Sequence, residues 1–168
     1  MDWNQSGLSD IPGVTSIKEG FEWKAQEHGI NIVGNAEEAD VIVLVVGEKV
    51  YAEWNGDAED LGLCGEFGLS GNTESIQRAK SYGKPVVTCI IAGRNVFISD
   101  YINDWDAVVM CYLPGSEGQG VADVLYGECD FKGKLPSPWY SSVRQIETKE
   151  AWLKTGFGLT YQEHADSN

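Results

Sequence analysis

Residues 48 to 60 read Glu-Lys-Val-Tyr-Ala-Glu-Trp-Asn-Gly-Asp-Ala-Glu-Asp, which places five carboxylates (Glu48, Glu53, Asp57, Glu59 and Asp60) within 13 residues against one lysine. Mutual repulsion among them, with any apolar cover from Tyr51 or Trp54, would raise the pKa of one carboxyl. A general acid working near neutral pH needs that shift. Tyr51 and Trp54 add flat apolar faces with polar edges, a surface on which a sugar ring can lie. The same residues also fit a solvated acidic loop whose aromatics pack back on the protein. Residue types alone leave both readings open.

Other chemistries find less support. Neither this stretch nor Asp100-Tyr-Ile-Asn-Asp-Trp-Asp106 has the D-x-[DN]-x-[DN]-G spacing of a calcium loop. Leu113-Pro-Gly-Ser-Glu-Gly-Gln-Gly120 has the outline of a phosphate cradle but matches neither glycine signature, and Glu117 would face the anion. Its glycines instead suit a tight turn and the close approach of two loops. No G-x-S-x-G occurs, and the two histidines, His28 and His164, stand at a helix end and in the polar tail, which is poor geometry for a triad. The four cysteines, 64, 89, 111 and 129, form no C-x-x-C, so a structural zinc site lacks ligands. Cys89 and Cys111 read as buried free thiols.

The elements that position the acidic stretch follow from periodicity. Ile17, Phe21 and Ala25 recur four apart between polar residues, predicting a helix over 15–28 with Thr15 or Ser16 as cap and Gly29 as stop. Val41-Ile-Val-Leu-Val-Val46 is an unbroken β-branched run, the pattern of a parallel strand buried on both faces. From Gly47 to Gly71 no period is sustained, and a loop of that length is functional or disordered. Asn72 or Thr73 opens a helix that ends near Gly83. Strands follow at 85–91 and 107–112, with a helical segment over 95–103 between them. A short helix over 118–127 and an edge strand at Lys134-Leu135-Pro136 complete the pattern. The alternation predicts an α/β fold, a doubly wound parallel sheet whose ligands bind beyond the carboxyl ends of the strands.

Composition narrows the partners. A chain of 168 residues with 42% hydrophobic and 23% charged side chains is globular and long enough for one domain with its own core. Its net charge of -14 repels phosphate backbones and anionic lipid, so no nucleic acid and no membrane partner is expected. The longest apolar run is far shorter than the ~20 residues of a bilayer span, and no basic-then-apolar leader opens the sequence.

Three segments taken together resemble a known family. They are Val45-Val-Gly-Glu-Lys-Val-Tyr-Ala-Glu-Trp-Asn-Gly-Asp57, Leu113-Pro-Gly-Ser-Glu-Gly-Gln-Gly-Val-Ala-Asp-Val-Leu-Tyr-Gly127 and Gly133-Lys-Leu-Pro136, with Gly156-Phe-Gly-Leu-Thr-Tyr161 as a closing segment. This set resembles the second domain of family 3 glycoside hydrolases, the β-glucosidases and exo-β-glucanases, over roughly residues 15 to 161. Ala92-Gly93-Arg94-Asn95 stands where that family has Ser-Gly-Arg-Pro. Trp54 stands where a small or hydroxyl residue is usual, and Tyr112 where a tryptophan is common.

The resemblance implies an α/β three-layer sandwich around a mostly parallel sheet of about six strands. It divides the chain into a linker over 1–14, the sandwich over 15–140 and a tail over 141–168. It implies an active site shared with a preceding (β/α)8 barrel, which carries the aspartate nucleophile and is missing from this chain. Asp2-Trp3 matches the nucleophile dipeptide by accident. The sandwich contributes the acid/base glutamate, which by motif is Glu53, while Glu48 in Val-Gly-Glu is structural. Tyr51 and Trp54 are the expected leaving-group contacts, the substrate a β-glucoside or β-glucan oligosaccharide, and no metal or organic cofactor is needed. On this reading the isolated chain is inactive. The alternatives are a non-catalytic sandwich used for docking or carbohydrate binding and, more remotely, a flavodoxin-like regulatory domain.

Overall fold

The computed structural model describes residues 12–51 and 56–162. Its regular elements, in chain order, are α1 (Ile17–His28), β1 (Ile42–Gly47), α2 (Asn72–Ser81), β2 (Val86–Ile91), β3 (Ala107–Tyr112), α3 (Gly118–Leu125) and α4 (Val143–Thr148). They fall into two compact units. One comprises 33–113 and 134–158, and the other 12–32, 114–133 and 159–162.

The first unit is built on a parallel sheet of order β1-β2-β3. β1 and β2 align Ile42 with Val86 through Gly47 with Ile91. α2 joins them, since parallel neighbours need a crossover rather than a hairpin. Leu44, Val46, Val86 and Ile90 point to one face, where Ile76 and Ala79 of α2 meet them together with Leu63, Val96, Ile98 and Trp139. Trp139 enters this core because its indole N–H donates to the Val96 carbonyl at 2.7 Å. The polar edge is thereby satisfied and the ring can be buried.

Several sequence expectations need correction here. Among the described residues the sheet has three strands, not about six. The 134–136 segment forms no strand either. Leu135 exchanges backbone hydrogen bonds with Gly156 and Phe157, but Pro136 has no N–H to continue the ladder, which resumes only as a bridge between Trp139 and Leu153. β1 is buried on one face only, with Val43 and Val45 exposed at 38% and 45%. Residues 95–103 are not helical. A 3-10 turn covers Ile102–Asp104 alone, while Phe97 pairs with Leu61 and Leu63 through its backbone. α4, capped by the Ser142 side chain, has no counterpart in the periodicity reading.

The second unit packs α1 on α3. Ser16 caps α1 and Glu19 answers it, the two hydrogen bonds of a capping box, and Gly29 ends the helix in the left-handed conformation. A Cβ on Gly118 would collide with Ser16 and Ile17, and Thr15 exchanges backbone bonds of 2.9 Å with Ser116 and Gly118. The glycine-rich turn is thus the close-approach device expected of it.

Candidate active site

All three parallel strands end on the same side, and the segments that follow them build one cluster in the first unit. Glu48 follows β1, Ala92-Gly93-Arg94-Asn95 follows β2, and Tyr112 ends β3. In open parallel sheets this is where ligands bind.

The Glu48 side chain is 1% exposed, and its Oε1 accepts from Arg94 Nε at 3.2 Å and Nη2 at 3.0 Å. Arg94 Nη1 donates to the Gly56 carbonyl at 2.8 Å. The guanidinium lies 4.4 Å above the centre of the Tyr51 ring and 5.4 Å from that of Phe67, the geometry of a cation over two aromatic faces. Tyr51 and Phe67 meet edge to face, with centroids 5.3 Å apart. Glu48 Oε2 and the Tyr51 hydroxyl are buried without a hydrogen-bond partner of good geometry among the described residues. Burial pushes the Tyr51 phenol up from its ordinary pKa. The neighbouring Glu48 carboxylate adds to that effect, and the Arg94 cation opposes it.

Backbone geometry aims these groups. A bulge opposite Ile90 and Ile91 puts Tyr112 at a φ of 54°, an uncommon conformation for a bulky residue. Its hydroxyl donates to Asn95 Oδ1 at 2.8 Å, and the Asn95 amide donates in turn to the carbonyls of Ser137 and Pro138. The Ala92 N–H donates to the Tyr112 carbonyl at 3.1 Å, so the turn bearing Arg94 is held from both sides.

Of the sequence-singled residues, Tyr51 and Glu48 are brought together, whereas Glu53 and Trp54 lie outside the described residues. Asp60 turns inward on its own loop, accepting from the Gly62 N–H at 2.8 Å. Among the described residues no three His, Cys, Asp or Glu side chains converge as a metal site, and all four cysteines are free. Cys89 is fully buried, as its strand position predicts, while Cys111 is partly covered. The long segment after β1 is less free than its composition suggests. Glu48 bridges to Gly68, and Leu63 is completely buried. Arg94, Phe67 and Asn72 escaped the sequence reading as members of this region. Arg94 left a signal, a lone cation just past a buried strand, opposite an acid just past its neighbour.

Comparisons with known proteins bear on the family and the fold. The model of the glycosyl hydrolase family 3 C-terminal domain matches residues 3–164. A lysosomal beta glucosidase of Dictyostelium discoideum is 32% identical over 139 residues, 75% of this chain. A periplasmic beta-glucosidase of Salmonella typhimurium is 32% identical over 123 residues, 72% of this chain. The chain spans only 16% and 15% of those two relatives' lengths. A crystal structure of a variant exo-1,3/1,4-beta-glucanase from a Pseudoalteromonas species superposes over 94% of this chain and 28% of its own, with a TM-score of 0.83 and 34% identity. A beta-glucosidase from Chaetomella raphigera, at 18% identity and a TM-score of 0.72, shares the fold. Matched by the family model over nearly its whole length, the chain belongs to the C-terminal domain family of glycosyl hydrolase family 3.

Proposed function

We propose that this domain supplies Glu53 as the acid/base of a retaining β-glycosidase, at an active site shared with a (β/α)8 barrel domain that carries the nucleophile. The observation that carries the reading is the placement of residues 51 and 56 beyond the carboxyl end of β1, next to the turn that follows β2, in a chain of this family. Exposed Val50 and Leu113, at 72% and 71%, lie at that same end and offer apolar surface to a neighbouring domain.

In the first step Glu53 protonates the glycosidic oxygen as the bond to the sugar breaks. In the second, as carboxylate, it takes a proton from the water that releases the sugar from the nucleophile. Retention places the two carboxyls about 5–5.5 Å apart. Glu48 is committed to Arg94 and serves structure. Trp54 and the uncovered part of the Tyr51 ring contact the leaving group of a β-glucoside or β-glucan oligosaccharide, and neither step needs a metal or organic cofactor.

The test is Glu53→Gln in a protein carrying this domain together with its barrel. Activity on substrates with poor leaving groups should fall by roughly 100-fold or more, and much less on activated aryl glucosides, which need little protonation. Equal losses on both, or the same signature from Glu48→Gln, would remove Glu53 from the acid/base role.

A further inference from the structure

We propose that Cys89 and Cys111 form a redox-active dithiol, which a hydroperoxide closes to a disulfide across β2 and β3. The site is separate from the acid/base chemistry and does not depend on it. Cys89 pairs with Val109 in the parallel register, so alternation along β3 puts Cys111, two residues on, over the same face of the sheet. In a regular ladder that diagonal spacing is about 7–8 Å, too long for a disulfide. The bulge changes it. Ile90 pairs with Met110 and Ile91 with Tyr112, which leaves Cys111 as the inserted residue, closer to the level of Cys89 than an unbroken strand would set it. Its thiol leans back as well, donating to the Val109 carbonyl at 3.7 Å, and Val109 is the residue directly opposite Cys89.

The two thiols are not equivalent. Cys89 is 0% exposed, whereas Cys111 is partly open. They hydrogen-bond to each other, which holds the Cys111 thiol below its ordinary range against the effect of burial, while the same bond together with burial pushes Cys89 up. The thiolate is the nucleophile, so the accessible member reacts first and the buried member keeps its proton.

The reaction takes two steps. The Cys111 thiolate attacks one peroxide oxygen, the O–O bond breaks, and the alkoxide that leaves takes up the proton that Cys111 released, giving an alcohol and a Cys111 sulfenic acid. The Cys89 sulfur then attacks the Cys111 sulfur, the S–O bond breaks, and water leaves with the Cys89 proton. Two thiols lose two electrons and the hydroperoxide gains them. The bridge joins β2 to β3 one residue before Tyr112, whose hydroxyl holds the turn after β2 through Asn95 at 2.8 Å. Oxidation therefore ties together the strand ends on which the candidate site is built.

The experiment uses the reduced chain carrying Cys129→Ser, which removes the exposed thiol and with it bridges between molecules. With tert-butyl hydroperoxide in slight excess, Cys89 and Cys111 should be lost to alkylation together, one pair of peptides should be linked through them, and dithiothreitol should restore both thiols. Bridging should be about 10-fold or more faster in the folded chain than in urea, since only the fold holds the two sulfurs together. Cys89→Ala should stop the reaction at the Cys111 sulfenic acid, trapped by dimedone. Cys111→Ala should slow the oxidation of Cys89 by about 10-fold or more. A bridge to Cys64 instead, a rate no faster than in urea, or both thiols surviving while Cys64 oxidises would make them ordinary buried thiols and overturn the proposal. Should either alanine variant not fold, the mapped bridge and the urea comparison in the chain with both cysteines decide alone.

Discussion

Asn72 and Gly47 exchange two hydrogen bonds through one side chain. Asn72 Oδ1 accepts from the Gly47 N–H at 3.3 Å, and Nδ2 donates back to the Gly47 carbonyl at 2.8 Å while also reaching the Leu63 carbonyl at 2.8 Å. Asn72 is 3% exposed and is the first residue of α2, yet it does not cap that helix. It completes the backbone bonding at the end of β1, one residue before Glu48. Asn72→Ala strands the Gly47 N–H and the Leu63 carbonyl in a dry site and should cost about 2–4 kcal/mol, read as a lower urea midpoint. Asn72→Asp sets a carboxylate against two carbonyls, which raises the folded-state pKa of the new acid. Its deficit should therefore be largest at neutral pH and shrink on acidification, as the protonated acid regains a donor.

Two glycines in the α1–α3 pair should respond with opposite signs to alanine. A Cβ on Gly20 would stand 2.8 Å from Gln119 Cα and 3.1 Å from the Gly118 carbonyl oxygen, and backbone cannot swing aside. Gly20→Ala should therefore destabilise by ~1–3 kcal/mol despite better helix propensity. Gly120, inside α3, has nothing within 4 Å of such an atom, so Gly120→Ala should stabilise by ~0.5–1 kcal/mol. Thermal unfolding of the two variants decides both, and a gain from Gly20→Ala would mean the helices do not approach this closely.

Legibility in the sequence tracked the range of the force involved. Helix stops and caps are local, and Ser16, Gly29 and Gly83 act where the pattern places them. The β-branched runs at 42–47, 86–91 and 107–112 announced three parallel strands because few other structures use unbroken Val and Ile. What failed was non-local. Whether Val43 is covered and whether 95–103 coils or extends depend on neighbours far along the chain. Phe97, for example, is held extended by Leu61 and Leu63. The Glu48–Arg94 pair spans 46 residues, and no spacing rule connects the two. Composition suggested five interchangeable acids, and burial separated Glu48 from the exposed Asp57, Glu59 and Asp60.

The acid stability of the α1–α3 unit should depend on Glu128. Lys24, with its side chain 8% exposed, is held by Glu128 at 2.7 and 2.8 Å, by Glu27 at 2.8 Å and by Asp123 at 3.3 Å, and His28 lies 3.4 Å from Glu128. The Lys24 hydrogen bond holds the Glu128 carboxyl below its ordinary 4.5, with help from His28 and against burial. A depressed carboxyl contributes stability that is complete above the unfolded value and lost as pH falls through the folded one. Glu128→Gln should lower the melting temperature at neutral pH and flatten its decline below about pH 4.5. An unchanged slope there would show that the ion pair is not coupled to folding. Lys24, raised above its ordinary 10.5 by Glu128 first and Glu27 next, works in the opposite direction, so its contribution fades only in strong alkali.

The chain on its own should fold cooperatively and still fail to hydrolyse an aryl β-glucoside. Leu63, Ile90, Ile98, Val46, Val86 and Val96 are each less than 2% exposed, a core assembled from this chain's own strands and loops. At 168 residues about two-thirds of the unfolded surface is buried, enough for independent stability. Catalysis is another matter. Two carboxyls must flank the glycosidic bond, and the described residues hold their best-placed acid, Glu48, in an ion pair with Arg94. Positioning contributes about 7–11 kcal/mol of barrier reduction in well-oriented reactions, and a lone acid on one loop has no second surface to hold the sugar. A single sigmoidal urea transition, with no aryl glucoside turnover above the buffer rate, is the expected pair of results. Turnover by purified chain that disappears in Glu53→Ala would reverse the assignment of the nucleophile to another domain and place a complete site within these 168 residues.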